Sequence, residues 1–473
     1  MASHSVQTVG AATVPALVAF LVALLVALLG PLGGAARANN GIPGSLGVLL
    51  PLDKPQEIGL ATNFGLILSD DGGVTWTWTC EQAASASANV YVMGPPPADR
   101  FYAQSPVTGL GFSDDEACGW QSAGGALGGL KVSDFFPDAT DPAHVLAAAA
   151  PPTDAGTGAV SVYVSADGGT TFGATPLYTA PAGAAIVGIE IARSNPQIIY
   201  LTTYTVGSGG YDPVLVRSID GGATWTPTDL LAPLGSAIVR ILAVDPADAN
   251  LVYLRATGAS SETLAVTRDG GITFATPLAI ANGAVSAFAR LASGTVLVGG
   301  LLNLPGGGGG TMGAGYRSTD GAMTFQPWTL APQPHLVGLG ERVVGGQSTL
   351  YLSGKNYSDG WALAVSTDEG ATVTPVMRYD QVAGIEPCVQ QVCLATCNYE
   401  EMQAIWDLSV CGGPDGGAPD AGRPGPPQSS GCHCGVGGRG GSLATGLGVW
   451  VLLAGAAFSR AGRRRRRPQR DRS

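Results

Sequence analysis

Ser69-Asp70-Asp71-Gly72-Gly73-Val74-Thr75-Trp76 recurs with small changes along most of this 473-residue chain. Good copies begin at Ser165, Ser218, Thr267 and Ser318, and weaker ones at Ser113 and Ser366. Successive starts are separated by 44, 52, 53, 49, 51 and 48 residues. One turn motif per period of about fifty residues is the mark of a repeat architecture.

The motif has a physical reading. Its Ser and Asp side chains bond nearby backbone N–H groups and hold a tight turn, and its glycine accepts a positive φ that a side chain resists. Short apolar runs precede the copies: Leu66-Ile67-Leu68, Val160 to Val164, Val214-Leu215-Val216, Leu264-Ala265-Val266 and Trp361 to Val365. Each copy therefore sits on a strand–turn–strand corner, with Asp71, Asp115, Asp167, Asp220, Asp269, Asp320 and Asp368 at the turn. These residues resemble the Asp box, or BNR repeat, of sialidase-like β-propellers, which joins the third and fourth strands of a blade. The resemblance covers roughly residues 45–387. It implies a fold and structural aspartates at the blade periphery; it does not imply a function.

Between the boxes a second pattern recurs: an apolar strand, a polar turn with proline, then another apolar strand. Val187 to Tyr200 carries it, Val239 to Tyr253 repeats it, and Ser133 to Leu146 is a looser copy. These supply the first and second strands of a blade. The expected fold is all-β: a seven-bladed β-propeller of four-stranded blades, over residues 39–387, each blade burying both faces against its neighbours. Gln381 to Glu386 and Val392 to Ala395 read as one more strand pair. They either complete the closing blade or begin an eighth; seven is favoured.

Charge excludes one class of partner. Lysine occurs only at 54, 131 and 355. Setting aside residues 1–38 and 435–473 lowers Lys+Arg from 24 to 14 and Asp+Glu only from 35 to 34, so the body carries a net charge of −20 against −11 overall. Such a surface repels phosphate backbones, and no nucleic-acid partner is expected.

The ends read as address labels. Residues 11–29 are almost wholly apolar and Ala36-Arg37-Ala38 offers a small-residue cleavage site, so residues 1–38 are expected to be a secretory signal peptide. An uncleaved anchor is the alternative, because the run is long and no Lys or Arg precedes it. Residues 412–430, rich in Pro and Gly, read as an extended linker. Residues 431–473 hold Gly431-Cys432-His433-Cys434, an apolar stretch from Leu443 to Phe458, and Arg463 to Arg467. The order resembles the MYXO-CTERM sorting tail of myxobacterial surface proteins. That resemblance implies a transmembrane segment in the precursor, a cytoplasmic Arg cluster, export and sorting machinery as partners, processing at Cys432 or Cys434, and a final place on the cell surface. An ordinary C-terminal membrane anchor is the alternative.

Six other cysteines remain. Cys80 and Cys118 lie at the first and second boxes, where a bridge between neighbouring blades would join them. Cys388, Cys393, Cys397 and Cys411 form a cluster at 388–411 with three pairings open. In an exported chain disulfides are favoured over zinc. The small Cys-rich module after the blades resembles the arrangement in sortilin-type propellers, which have more blades and more cysteines.

The chemistry is sparse. A sialidase needs three arginines on the substrate carboxylate, a tyrosine–glutamate pair, an acid Asp and an Arg-Ile-Pro motif; the motif is absent, and past Arg37 the first arginine is Arg100. Arg217 and Arg317 precede their boxes and are read as covering blade edges. Glu190 and Asp245 lie on or beside first strands, yet Asp245 precedes Pro246 at a turn and Glu190 has no identifiable mate, so neither is read as catalytic. Histidine is scarce, with His144, His335 and His433 past the leader, and glycines 306–310 form a loop tip rather than a phosphate cradle. No metal or nucleotide cofactor is expected. The leading reading is a non-catalytic surface module that binds a glycan or protein. A divergent glycosidase in the sialidase or xyloglucanase style is second, and a structural envelope protein third.

Overall fold

The computed structural model describes residues 43–84, 90–105, 109–152, 159–304, 310–402, 405–406 and 408–412. All belong to the larger of two compact units, Met1–Gly417; the smaller, Ala418–Ser473, lies outside the described residues, as do residues 1–38, expected as a leader, residues 413–430 of the expected linker, and the expected sorting tail. Among the described residues no helix is long and apolar enough to cross a membrane.

Among the described residues seven antiparallel sheets follow one another, numbered here in chain order, with each strand hydrogen-bonded to the next; a two-stranded parallel pair, Gly124–Gly125 with Thr171–Phe172, stands apart from them. Their first strands are Ser45–Leu49, Val90–Met93, Lys131–Pro137, Ala185–Ile191, Ile238–Val244, Gly283–Arg290 and Gly338–Val344. Sheet 4 shows the plan: Ala185–Ile191, Ile199–Gly207, Gly210–Ser218 and Thr226–Asp229, with the aspartate turn between the last two. First strands pack on one another between sheets 1 and 2, 3 and 4, 4 and 5, 6 and 7, and between sheets 7 and 1, while the first strands of sheets 3 and 6 lie against later strands of the sheets before them. This is the architecture of a β-propeller.

Strand periodicity builds the core. Side chains alternate across a strand, so a strand buried on both faces feeds two different seams. In the second strand of sheet 4, Ile199 and Leu201 join Leu146 and Val162 of sheet 3, while Tyr200 between them joins Val252 and Leu254 of sheet 5. Val252 and Leu254 face that seam, and Tyr253 turns to the next, with Val296 and Val298 of sheet 6. Each pair of consecutive sheets shares one such cluster, and a further cluster joins Tyr351 and Leu363 of sheet 7 to Leu60, Ile67 and Trp78 of sheet 1. Because the runs are continuously apolar, no single sheet could bury both faces alone.

The segment after sheet 7 departs from the sequence reading. Gly384–Ile385 becomes a fifth, parallel strand on the outer edge of sheet 1, in register with Thr77 and Trp78. Amide donation from Ala383 to the Trp76 carbonyl (2.8 Å) and from Glu386 to the Trp78 carbonyl (2.9 Å) fixes it. Val392 to Ala395, expected as the second strand of the pair, lies instead in the α-helix Gln390–Met402. The physical reason is the disposition of its apolar side chains: Val389, Cys393 and Cys397 recur at helical spacing and are buried, while Val392 and Leu394 are exposed. The buried face packs with Ile405, Trp406 and Val410 on Trp78 and Phe64 of sheet 1.

The cysteines also pair differently from the bridge read between the first two boxes. All six form disulfides, but Cys80 bonds Cys393 and Cys118 bonds Cys388, with Cα separations of 5.4 and 5.5 Å; Cys397 bonds Cys411. The tail that lies along sheet 1 brings Cys388 and Cys393 within reach, and both Cys80, at the end of a strand, and Cys118, in a turn, are taken up by it.

Candidate functional site

The aspartate turns are locks. In the first, the Ser69 hydroxyl donates to Asp71 Oδ1 (2.9 Å) and accepts from the Gly73 amide (2.9 Å). Asp71 Oδ1 also takes the Val74 and Thr75 amides (both 2.9 Å), and Oδ2 takes the Thr75 hydroxyl (2.6 Å). The same serine or threonine, aspartate and closing threonine set recurs at Asp167, Asp220, Asp269, Asp320 and Asp368. Threonine and amide donors hold Asp71 and Asp368 at about 2, and they lower Asp220 and Asp320 likewise. At Asp167 and Asp269 desolvation pushes upward and the same donors outweigh it. Asp115 keeps the Ser113 hydroxyl (2.8 Å) and the Gly119 amide (2.7 Å), with no threonine to close the turn. Two consecutive residues take positive φ in these turns: Gly221 and Gly222 in the fourth copy, Glu369 and Gly370 in the last. Oδ1 of each of these aspartates takes at least two donors from its own turn, so the carboxylates are committed to holding the corners.

The arginines are spent on neighbouring sheets. Arg217 donates to Asn250 Oδ1 in sheet 5 (2.6 Å), and Arg317 to the Glu369 carboxylate (2.7 Å) and carbonyl (3.0 Å) in the turn of sheet 7. Arg100, over the Phe112 ring, reaches the Gly168 carbonyl of sheet 3 (2.6 Å). They are distributed around the seams rather than converging, so they do not form a carboxylate clamp.

The first strands hold the acids of interest. Edge strands leave backbone groups unpaired on one side, and buried ones need partners. Asp134 Oδ2 accepts the Ile189 amide of sheet 4 (2.8 Å), and Glu190 Oε1 accepts the Val244 amide of sheet 5 (2.7 Å). Glu262, buried in sheet 5, accepts the Val285 amide of sheet 6 (2.7 Å). Arg240 donates in the opposite sense to the Val187 carbonyl of sheet 4 (2.9 Å). A one-residue bulge at Ser133 in sheet 3, and at Val187 in sheet 4, interrupts the ladder just before these acids. Burial pushes Asp134 up to about 7, against the Phe135 and Ile189 amides and Arg240. Burial pushes Glu190 up to about 8, against the Val244 amide, and the neighbouring Asp134 charge adds to the rise.

Glu190 thus has an acidic neighbour that the sequence reading lacked, and it is not Asp245. Asp245 is buried at the turn after the first strand of sheet 5, where it takes the Ala247 amide (2.9 Å) and pairs with Arg290 (2.7 Å). The signal for Asp134 was an acid inside the apolar first strand Ser133-Asp134-Phe135-Phe136, the same anomaly that singled out Glu190.

His144 pairs with Asp138 (3.1 Å) within one turn. His335 Nδ1 pairs with Asp359 (2.7 Å) and its Nε2 donates to the Thr311 carbonyl (2.9 Å), which ties the loops of sheets 6 and 7. Glycines 306–309, Cys432, His433 and Cys434 lie outside the described residues. Cys118, Glu386 and Cys388 bring three candidate metal ligands together, but the two sulfurs are bonded to each other and offer no thiolate.

No protein-family model matches the chain, and no curated protein does. Among solved structures it is similar to a GH74 enzyme of Niastella koreensis (13% identity, TM-score 0.39, covering 71% of this chain and 66% of that one). It is similar also to the GH74 xyloglucanase from Xanthomonas campestris (15%, 0.32, 71% and 58%) and to Trypanosoma rangeli sialidase (12%, 0.32, 49% and 45%). The chain spans about two thirds or less of each of these proteins.

Proposed function

We propose that this chain is an exported, surface-anchored propeller of seven Asp-box blades that binds an extracellular glycan or protein without transforming it. The observation that carries this reading is the state of Asp134 and Glu190. A retaining or inverting glycosidase needs one protonated and one ionised carboxyl, and active sites push such a pair apart. Here burial displaces both acids upward, to about 7 and about 8, and each is engaged by a backbone amide of the next sheet. Their work is to seal the inner edges between blades.

The divergent glycoside hydrolase is the rival, and one observation favours it: Glu190, at about 8, carries the proton that a general acid needs near neutrality. Seven sheets with an apolar seam between the last and the first support seven blades over eight. Three disulfides support an oxidising compartment. On this reading residues 1–38 direct export, the apolar stretch 443–458 holds the precursor in the membrane with Arg463 to Arg467 in the cytoplasm, and the sorting machinery acts at Cys432 or Cys434.

The test is affinity electrophoresis of the full chain through gels containing bacterial or plant polysaccharides, with a protein-capture arm on intact cells. Retardation with the polysaccharide recovered unchanged supports a binding module. Release of reducing ends moves the assignment to the hydrolase.

A further inference from the structure

One of the three disulfides is open to solvent. Cys80, Cys393 and Cys397 are fully buried and Cys411 is 3% exposed, whereas Cys388 is exposed and Cys118 half-buried. An incoming thiolate therefore reaches the Cys118–Cys388 bond without unfolding anything, and exposed disulfides are the reducible ones.

The turn that carries Cys118 is also the least secure of the seven. It joins the third and fourth strands of sheet 2, Gly109–Ser113 and Gln121–Ser122. In the other six copies glycine fills at least one of the two consecutive positions of positive φ; here they are held by Glu116 (φ +57°) and Ala117 (φ +68°). Side chains resist that conformation. Gly119 stands where the other six copies have threonine, so Asp115 keeps the Ser113 hydroxyl and the Gly119 amide but has no hydroxyl to close the corner. The ion pair from Lys54 to Glu116 (3.4 Å) is exposed and adds little. A strained corner without its clamp needs another restraint, and the covalent bond to Cys388 supplies it. Strain of this kind gathers at switch regions.

We propose that Cys118–Cys388 is a redox-sensitive latch, opened by an external dithiol, that holds the second aspartate turn in its strained form. One thiolate of the dithiol attacks one sulfur, and the S–S bond breaks with its electron pair leaving on the other. The second thiol of the reagent then attacks the mixed disulfide. The dithiol ends as a disulfide and both cysteines as thiols, two electrons and two protons having passed to them. The tail stays in place: Gly384–Ile385 keeps its register on sheet 1, Glu386 keeps the Thr77 hydroxyl (2.6 Å), and the buried Cys80–Cys393 bond remains closed. What is released is the corner of sheet 2. The latch is independent of the binding function proposed above, since it requires no ligand.

The full chain, titrated with dithiothreitol, alkylated with iodoacetamide and read peptide by peptide in a mass spectrometer, tests this. Cys118 and Cys388 are expected to be labelled at a dithiothreitol concentration about tenfold or more below that needed for Cys80, Cys393, Cys397 and Cys411. In that half-opened form, hydrogen exchange should quicken over residues 113–120 and stay unchanged over 58–69. The variant carrying Cys118→Ser and Cys388→Ser should show the same exchange pattern with no reductant present. Labelling of either buried disulfide at the same or a lower concentration overturns the proposal. So does an opened Cys118–Cys388 bond, or the serine variant, that leaves exchange over 113–120 as it was.

Discussion

Cys80, at the end of the fourth strand of sheet 1, is bonded to Cys393, 313 residues later, in the helix that follows sheet 7. Beside it Cys118 bonds Cys388 across 270 residues. Both bridges close nearly the whole propeller, so they restrict almost the same loop of the unfolded chain. Removing one (Cys80→Ala with Cys393→Ala) is therefore expected to cost well under half of what removing both costs, about 3–5 kcal/mol. Urea midpoints of the two double variants and the quadruple variant, under oxidising conditions, check the non-additivity.

The aspartate turns set an acid limit. Asp71, Asp167, Asp220, Asp269, Asp320 and Asp368 all titrate below their ordinary 3.8, with Asp71 and Asp368 at about 2. A depressed carboxyl stabilises the fold fully above its unfolded pKa, and that stability is lost as pH falls through the folded value. The window is therefore from near 3.8 down to about 2. Asp71→Asn and Asp368→Asn are expected to lower stability at neutral pH and to flatten the fall across this window, by a small amount per turn that accumulates. Circular dichroism melts at stepped acid pH read it.

Glu190 runs the other way. Its folded value of about 8 lies above the ordinary 4.5, so its contribution is fully present below the unfolded value and is lost as pH rises through the folded one. Glu190→Gln keeps an acceptor for the Val244 amide and cannot ionise. The variant is expected to gain stability relative to the parent between about pH 5 and about pH 9, on the order of 1–3 kcal/mol. Denaturant midpoints of both proteins across that range measure it; a constant difference would show that Glu190 does not titrate there.

Gly222 has a φ of +91°, and a Cβ there would stand 2.6 Å from Leu177 Cδ1 and 2.7 Å from its Cγ, in the seam between sheets 3 and 4. Gly222→Ala therefore meets backbone strain and overpacking together, and should cost about 2–4 kcal/mol. Gly221→Ala shares the strain but meets only the end of Gln197, at 3.0 Å, so the smaller loss is expected there. Thermal melts of the two variants side by side separate the two contributions.

What was legible in the sequence was local. Asp71 and Thr75 sit four residues apart because the turn that joins them is that long, so the spacing alone carries the corner. The paired apolar runs such as Val239 to Tyr253 gave the first two strands of a sheet for the same reason. What failed was non-local. Cys80 is nearest Cys118 along the chain, yet its partner arrives only after all seven sheets have formed. Gly384–Ile385 is too short to register as an edge strand until sheet 1 offers its outer edge. Glu190 gained its neighbour Asp134 from an adjacent sheet, 56 residues earlier, at a different point relative to the bulge. Such contacts are set by the stacking of sheets, and no spacing rule encodes them.

On the function proposed above, Asp134 and Glu190 seal a seam rather than cleave a glycosidic bond. The direct measurement is hydrolysis by the full chain of aryl glycosides, sialosides and polysaccharides from about pH 5 to about pH 9, with Glu190→Gln and Asp134→Asn alongside. No turnover is expected from any of the three, with both variants folded. Turnover by the parent that follows the ionisation of these acids and disappears in Glu190→Gln would contradict it and make the first strands an active site.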